Sequence, residues 1–458
     1  MDKRVIEKLV SIVGKEWVVT DPRAIERYLY DEAPEPIRPQ PMRDVVVVKP
    51  GSTEEVAGVL KLANEEKIPV FPRGGGTGLV GGAVPTAPGI VLSLERMDRV
   101  VIHREDMVAE AEAGVTLAKL TEEAEKAGLF FPPHPGDEGA FVGGLIATNA
   151  GGARAVRTGV MRNYVLGLEV VLPTGVVARI GGKTIKNNLL TNVMHLFVGC
   201  EGLLGVITKA FLRLYPKPRA SATMVVPFDD RLSAIRAAYD IMMSGTIPML
   251  LEYVELSAIE RSEKHLGLQW PTHEGFAHLM ISFAEHSEDA MYLALETVNS
   301  IAEKYTKHEP VLATRRDEQS EILRIRSEIY TALKKDMVDI LDVTLPLSKI
   351  YEFMERVDAL EEEYKTWIPA YGHVGDGNLH LHIMKNEGWS AERYNELREK
   401  VYSIAVELGG SITGEHGIGA ARSKYLEKYA DRGHLELLKL LKKSLDPNNI
   451  LNPGRVPV

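Results

Sequence analysis

Three histidines and a following Glu-His pair stand at spacings that suit the capture of a cation. Tyr371-Gly-His-Val-Gly-Asp-Gly-Asn-Leu-His-Leu-His382 precedes Gly414-Glu-His-Gly-Ile-Gly419. The first segment reads as strand, tight turn, strand, because glycine supplies the positive φ of a hairpin turn and Asp-Gly favours it. A loop at 375–378 sets Val374 opposite Leu379 and His373 opposite His380. Directly opposed residues have Cβ atoms about 4.5–5.5 Å apart, close enough for two imidazoles to grip one ion. His382 falls on the face of His380 by the two-residue period. Glu415 can add a carboxylate ligand and His416 a base. Two histidines and one glutamate with open positions form a catalytic rather than a structural pattern.

The elements that must carry these residues alternate along the chain. Residues 1–30 read as one or two helices, and Ala33-Pro-Glu-Pro-Ile-Arg-Pro-Gln-Pro41 breaks regular structure. From Val45 to about Leu214, strands and helices alternate: a strand at 45–49, a helix capped by Ser52-Thr-Glu-Glu, a strand at 68–71, a helix at 117–127, and a hairpin at 164–180. After Tyr215-Pro-Lys-Pro, helices near 230–244, 288–306, 317–335 and 348–364 interleave with strands near 249–255, 277–284, 338–345 and 368–374. That pattern suits a second α+β domain with an antiparallel sheet. A helix at 391–408 leads into the glycine-rich 409–419 loop.

Three glycine-dense segments punctuate the first half. Pro72-Arg-Gly-Gly-Gly-Thr-Gly-Leu-Val-Gly-Gly82 follows a strand, and such a run lets several backbone N–H groups turn toward a pyrophosphate. Gly76-Thr-Gly-Leu-Val-Gly81 mimics a Rossmann fingerprint, but Pro85 and Pro88 forbid the helix that must open there. Gly182-Lys-Thr184 mimics the tail of a P-loop, yet Val177 stands where its first glycine belongs. The other two segments are Pro132–Gly152 and Gly199–Thr208. Together they call for a long ligand with much backbone contact, which FAD satisfies.

With those motifs in place, residues 43–218 resemble the FAD-binding domain of the vanillyl-alcohol oxidase and p-cresol methylhydroxylase family. The whole chain is similar to its D-2-hydroxyacid dehydrogenase branch. The fold implied is α+β: a two-subdomain FAD-binding domain of the p-cresol methylhydroxylase type plus an α+β substrate (cap) domain with an antiparallel sheet. Its divisions would be an N-terminal helical segment at 1–42, the FAD domain at 43–218, the substrate domain at 219–408 and a returning segment at 409–458. The resemblance assigns FAD contacts to Pro72, Arg73, Gly74, Gly75, Gly76, Thr77, Gly78 and Leu79; to Pro135, Gly136, Gly143, Gly144, Ala147, Thr148, Asn149, Gly151 and Gly152; and to Gly205, Val206, Ile207 and Asn452. The Arg73–Gly82 loop has no His or Cys, so non-covalent FAD is expected.

The resemblance also implies one divalent metal (Zn, Mn, Fe or Co) on His373, His380 and Glu415, with His416 as base and Arg326, Tyr330 and His382 at the substrate. The bland alternative for Arg326 is a solvated helix face beside Glu321 and Glu328, and for Tyr330 a half-buried core position. Relatives that act on 2-hydroxyglutarate carry a lysine where this chain has Ile340 or Leu341. A short substrate such as D-lactate or glycolate is therefore expected. Two other readings compete: a non-catalytic flavoprotein subunit, and a relative of alkyl-glycerone-phosphate synthase.

Composition bounds the rest. The 458 residues include 64 acids against 54 Lys and Arg, a formal charge of −10, which argues against nucleic acid. Cys200 is the single cysteine, so neither a disulfide framework nor an iron–sulfur cluster is held by this chain alone. Electrons would have to pass to an external acceptor: an iron–sulfur subunit, an electron-transfer flavoprotein or a quinone. No apolar run reaches the ~20 residues of a transmembrane helix, and Met1-Asp-Lys-Arg does not open a signal peptide. A cytoplasmic protein is expected, with a homodimer or peripheral attachment at the inner membrane face both compatible.

Overall fold

The computed structural model describes residues 1–189 and 192–456. Among the described residues, three larger sheets and a two-stranded pair, Leu129–Phe130 with Tyr215–Pro216, organise it. In the first, Val45–Val48, Gly89–Ser93 and Val70–Arg73 run parallel, with Val18–Val19 antiparallel at one edge. These strands are almost wholly apolar because both faces are covered. Helix Thr53–Glu66 packs beside them. Ser52 Oγ accepts from the Glu55 N–H at 3.2 Å, and Glu55 reaches back to the Gly51 N–H at 2.7 Å. The capping signal read in the sequence is thus met one residue further out on its return arm.

The second sheet is antiparallel, in the order Val100–His103, Val108–Glu112, Val206–Arg213, Val165–Val171, Val177–Gly181. Against it lie helix Leu117–Lys126 and the short helix Val142–Ala147. The glycine segments therefore adjoin strands of different sheets and meet between the first two.

The third sheet has seven antiparallel strands: Val311–Ala313, Ala220–Phe228, Ala277–Glu285, Leu250–Glu255, Ala370–His373, Asn378–Met384 and Met337–Thr344. Its two faces differ in chemistry. Leu251, Tyr253, Leu279, Leu341, Val343, Leu379 and Leu381 bury one face under helices such as Arg231–Met243 and Ile350–Tyr364. The alternate residues Glu252, Tyr371, His373, His380, His382 and Asp342 line the other, as the two-residue period requires. A row of buried polar groups on an otherwise apolar sheet is costly unless each finds a partner.

The hairpin register departs from the sequence expectation. The turn is 374–377, so His373 faces Asn378 and His380 faces Tyr371. The shift is two residues, which preserves the face, and the two imidazoles still meet diagonally with ring centroids 5.3 Å apart.

The C-terminal segment crosses between the sheets. Thr413 bridges to Asp342 and Ser411 to Thr344, extending the third sheet. Further on, Leu451 bridges to Val70, and Asn452 Nδ2 donates to the Glu201 carbonyl at 2.9 Å.

Candidate active site

A cleft opens between the first two sheets. Pro72–Gly78, Gly143, Gly144, Ala147, Thr148 and Gly205–Ile207 line it, joined by Phe141, Glu201 and His416. Its shape depends on missing side chains. A Cβ on Gly144 would point into open cleft with nothing within 4 Å, whereas one on Gly75 would lie 2.9 Å from the Gly139 carbonyl. A cradle whose free space exists because of glycine fits a long ligand held by backbone, as FAD would be.

Several residues expected at the cofactor lie behind this surface. Arg73 lines the cleft, but its buried guanidinium donates to the Tyr30 carbonyl at 2.8 Å and ties the N-terminal segment to the loop. Asn149 holds the Arg162 N–H, and Asn452 holds the Glu201 carbonyl. Leu79, Pro135, Gly136, Gly151 and Gly152 also stand outside the lining. Gly152 has a different part: its N–H donates to Glu415 Oε2 at 2.6 Å.

That bond joins the cleft to the polar row of the third sheet. His373 Nε2 lies 3.1 Å and His380 Nε2 3.4 Å from the same Glu415 Oε1. The three donor atoms lie within 4.8 Å of one another. Behind them, His373 Nδ1 meets Glu252 Oε1 at 2.7 Å, and His380 Nδ1 lies 3.5 Å from Asp342 Oδ1. The Glu252 carboxylate behind His373 fixes its tautomer and raises its basicity, as metal-binding histidines require. His380 Nδ1 is buried with no aligned hydrogen-bond partner. The two Nε2 atoms and the Glu415 carboxylate, gathered at one point, are a donor set that fits a divalent ion.

Asp342, His380 and His416 also cluster, but Asp342 is already committed. Its Oδ2 accepts the N–H groups of Gly414, Glu415 and His416 at 2.8–2.9 Å and the Thr413 hydroxyl at 2.9 Å. Such an oxygen has no lone pair left for an ion. Its work is to hold the loop that carries Glu415 and His416. Glu201 grips the far end of that loop through the Ile418 and Gly419 N–H groups at 2.8 and 2.7 Å.

Charge is packed tightly here. Burial alone would raise Glu415, but His373 and His380 hold it well below the carboxylate range. Burial would lower His373, yet Glu252 and Glu415 push it well above the histidine value. Burial, reinforced by His380, keeps His416 below its ordinary value despite Asp342. The His416 ring stacks on His380 at 4.9 Å and faces the cleft.

The expected substrate residues divide. Arg326, on helix Arg316–Ser327, is buried over the Tyr371 ring at 4.8 Å and donates from Nε to Glu252 Oε2 at 2.7 Å. It is not on a solvated face. Its Nη2 lies 2.5 Å from the same oxygen but out of line, a buried donor without an acceptor. Tyr330 instead donates to the Glu32 carbonyl at 2.5 Å and joins the two halves of the molecule. His382 is fully buried between Met337 Sδ and the Tyr371 hydroxyl, behind the pocket. Burial and the neighbouring His380 push it down to about 3. Sequence reading missed Glu252, Asp342 and Glu201. The available signal was an acid at an inward position of an apolar strand, as in Leu250-Leu-Glu252 and Ile340-Leu-Asp342.

Residues 45–181 match the FAD binding domain family and residues 217–456 the C-terminal domain of FAD linked oxidases. The D-lactate dehydrogenase of Archaeoglobus fulgidus is 45% identical over 94% of this chain and 95% of its own. The glycolate oxidase subunit GlcD of Bacillus subtilis is 33% identical over 99% and 97%. Among solved structures, p-cresol methylhydroxylase superposes with a TM-score of 0.79 at 18% identity, over 99% of this chain and 96% of that one, so the fold expected from the resemblance is the fold observed. Because the sequence likeness runs unbroken through both the cleft-forming half and the histidine-bearing half, the protein belongs to the FAD-linked oxidases and is an FAD-dependent oxidoreductase.

Proposed function

We propose that the protein oxidises a short D-2-hydroxyacid, D-lactate foremost, to the 2-oxoacid, using FAD and one divalent cation. The observation that carries this reading is contiguity. Glu415 contacts both histidines through one oxygen and the backbone of Gly152, beside the cleft, through the other, while His416 lines the cleft itself. The names of the relatives from A. fulgidus and B. subtilis point to the same substrate class.

When bound, FAD supplies the hydride acceptor and the cation supplies a Lewis acid that makes the hydroxyl more acidic. His373, His380 and Glu415 would hold the cation, a donor set that Zn, Mn, Fe and Co all accept. His416 takes the hydroxyl proton. Burial keeps its imidazole neutral, and its Nδ1 faces Asp342 at 3.9 Å, which leaves Nε2 to accept. Arg326, ion-paired with Glu252, is the guanidinium assigned to the substrate carboxylate. Ile340, on the site face opposite His382, brings no charge for a second carboxylate, and burying one unpaired is costly. A relay subunit without chemistry would have no use for this arrangement. Electrons leave to an external acceptor, an iron–sulfur subunit, an electron-transfer flavoprotein or a quinone.

The test is anaerobic flavin reduction with a panel of hydroxyacids, together with metal analysis. D-lactate should bleach the FAD-loaded protein far faster than D-2-hydroxyglutarate, and the reverse order would discard the substrate assignment. His373→Ala should keep yellow FAD and lose reduction; undiminished bleaching would remove this imidazole from the chemistry.

A further inference from the structure

We propose that Glu252 is a positioning residue that locks the substrate-carboxylate arginine and the cation-binding histidine to each other. The proposal rests on the roles given above to Arg326 and His373. Glu252 is fully buried in the middle of the third sheet, on a strand paired on both sides, so its carboxylate moves only with the sheet. Each oxygen serves a different pole of the site. Oε1 meets His373 Nδ1 at 2.7 Å, and Oε2 takes Arg326 Nε at 2.7 Å with Nη2 at 2.5 Å.

The contacts continue without a gap. His373 Nε2 lies 3.1 Å from Glu415 Oε1, and Glu415 Oε2 holds the Gly152 N–H at 2.6 Å. A single hydrogen-bonded path thus runs from Arg326 to the backbone beside the FAD cleft, and Glu252 is the one member that touches both the arginine and an imidazole. A 2-hydroxyacid carries its carboxylate and hydroxyl on adjacent carbons. Its two recognition points must therefore be held at a fixed, short separation, and one carboxylate shared between them does so. Gln cannot substitute, because an amide offers one acceptor where two donors need one each, and its NH₂ must face a donor whichever way it turns.

The experiment uses FAD-loaded protein stripped of metal with a chelator. Zn²⁺ affinity is read by competition with a chromogenic chelator, and the D-lactate concentration for half-maximal flavin reduction is read anaerobically after Zn²⁺ is restored. Glu252→Gln should keep FAD absorbance, weaken Zn²⁺ roughly 10–100-fold and also raise the half-saturating D-lactate concentration. Arg326→Gln should move only the D-lactate value. Glu252→Asp, which keeps the charge on a shorter stem, should move both constants in the same direction by less; it serves if the Gln variant does not fold. A folded Glu252 variant that changes only one constant, or neither, overturns the bridge. If instead His373→Ala leaves Zn²⁺ affinity unchanged, the cation reading itself fails, and the bridge falls with it.

Discussion

One oxygen of Asp342 gathers three successive N–H groups and a hydroxyl, and so shapes the loop that presents Glu415 and His416. Burial would raise this carboxyl, but His416 and His380 beside it hold it well below the usual range, so it stays an acceptor throughout the neutral region. Asp342→Asn puts an NH₂ among donors. Its turnover should fall about 10–100-fold, as for other residues that orient metal ligands, with FAD content unchanged. Steady-state kinetics beside the flavin absorbance ratio checks this. The histidines and Glu415 were legible in the sequence because their types are rare in such spacing. Asp342 and Glu252 were not, because a lone acid in an apolar strand gives no hint of the loop or helix that will come to meet it.

At the level of elements, the glycine segments were readable as a backbone cradle, yet their side-chain neighbours were not. Arg73 stands in the glycine loop, and nothing in the string shows that its guanidinium also braces residues 27–30, which fold back over it. The hairpin was readable in kind and face but not in register. Its turn is set by contacts from afar: the Gly375 N–H bonds to the Leu251 carbonyl at 3.2 Å, and a Cβ on Gly377 would sit 2.1 Å from the Leu345 carbonyl. Gly144 offers a direct test of the cradle. It lies in helix Val142–Ala147, where a side chain is tolerated, and its Cβ direction is open cleft. Gly144→Met should fold with an unchanged circular dichroism spectrum and lose FAD on purification. Full FAD occupancy would mean the cofactor does not pass this glycine.

Over the whole molecule, the third sheet is pinned to the returning C-terminal segment by a buried cluster. Asp339 takes Arg398 Nε at 2.5 Å and Arg422 Nη1 at 2.8 Å, all three being almost wholly buried. Burial would raise Asp339, but Arg422 and Arg398 hold it below the carboxylate range. A depressed folded pKa contributes stability above the unfolded value, near 3.9, and loses it as pH falls through the folded one. Asp339→Asn strands two buried guanidinium groups and should cost roughly 3–5 kcal/mol at pH 7. The gap to the parent should close as the solution is acidified below about pH 4. Denaturant unfolding at the two pH values measures both effects.

The loop at 413–419 is gripped by Asp342 from one half of the molecule and by Glu201 from the other. Both clamping carboxylates precede Glu415 and His416 in the chain. The loop can therefore settle only where both halves of the molecule have already folded to present a clamp. Loosening either clamp would unseat the base and a metal ligand together.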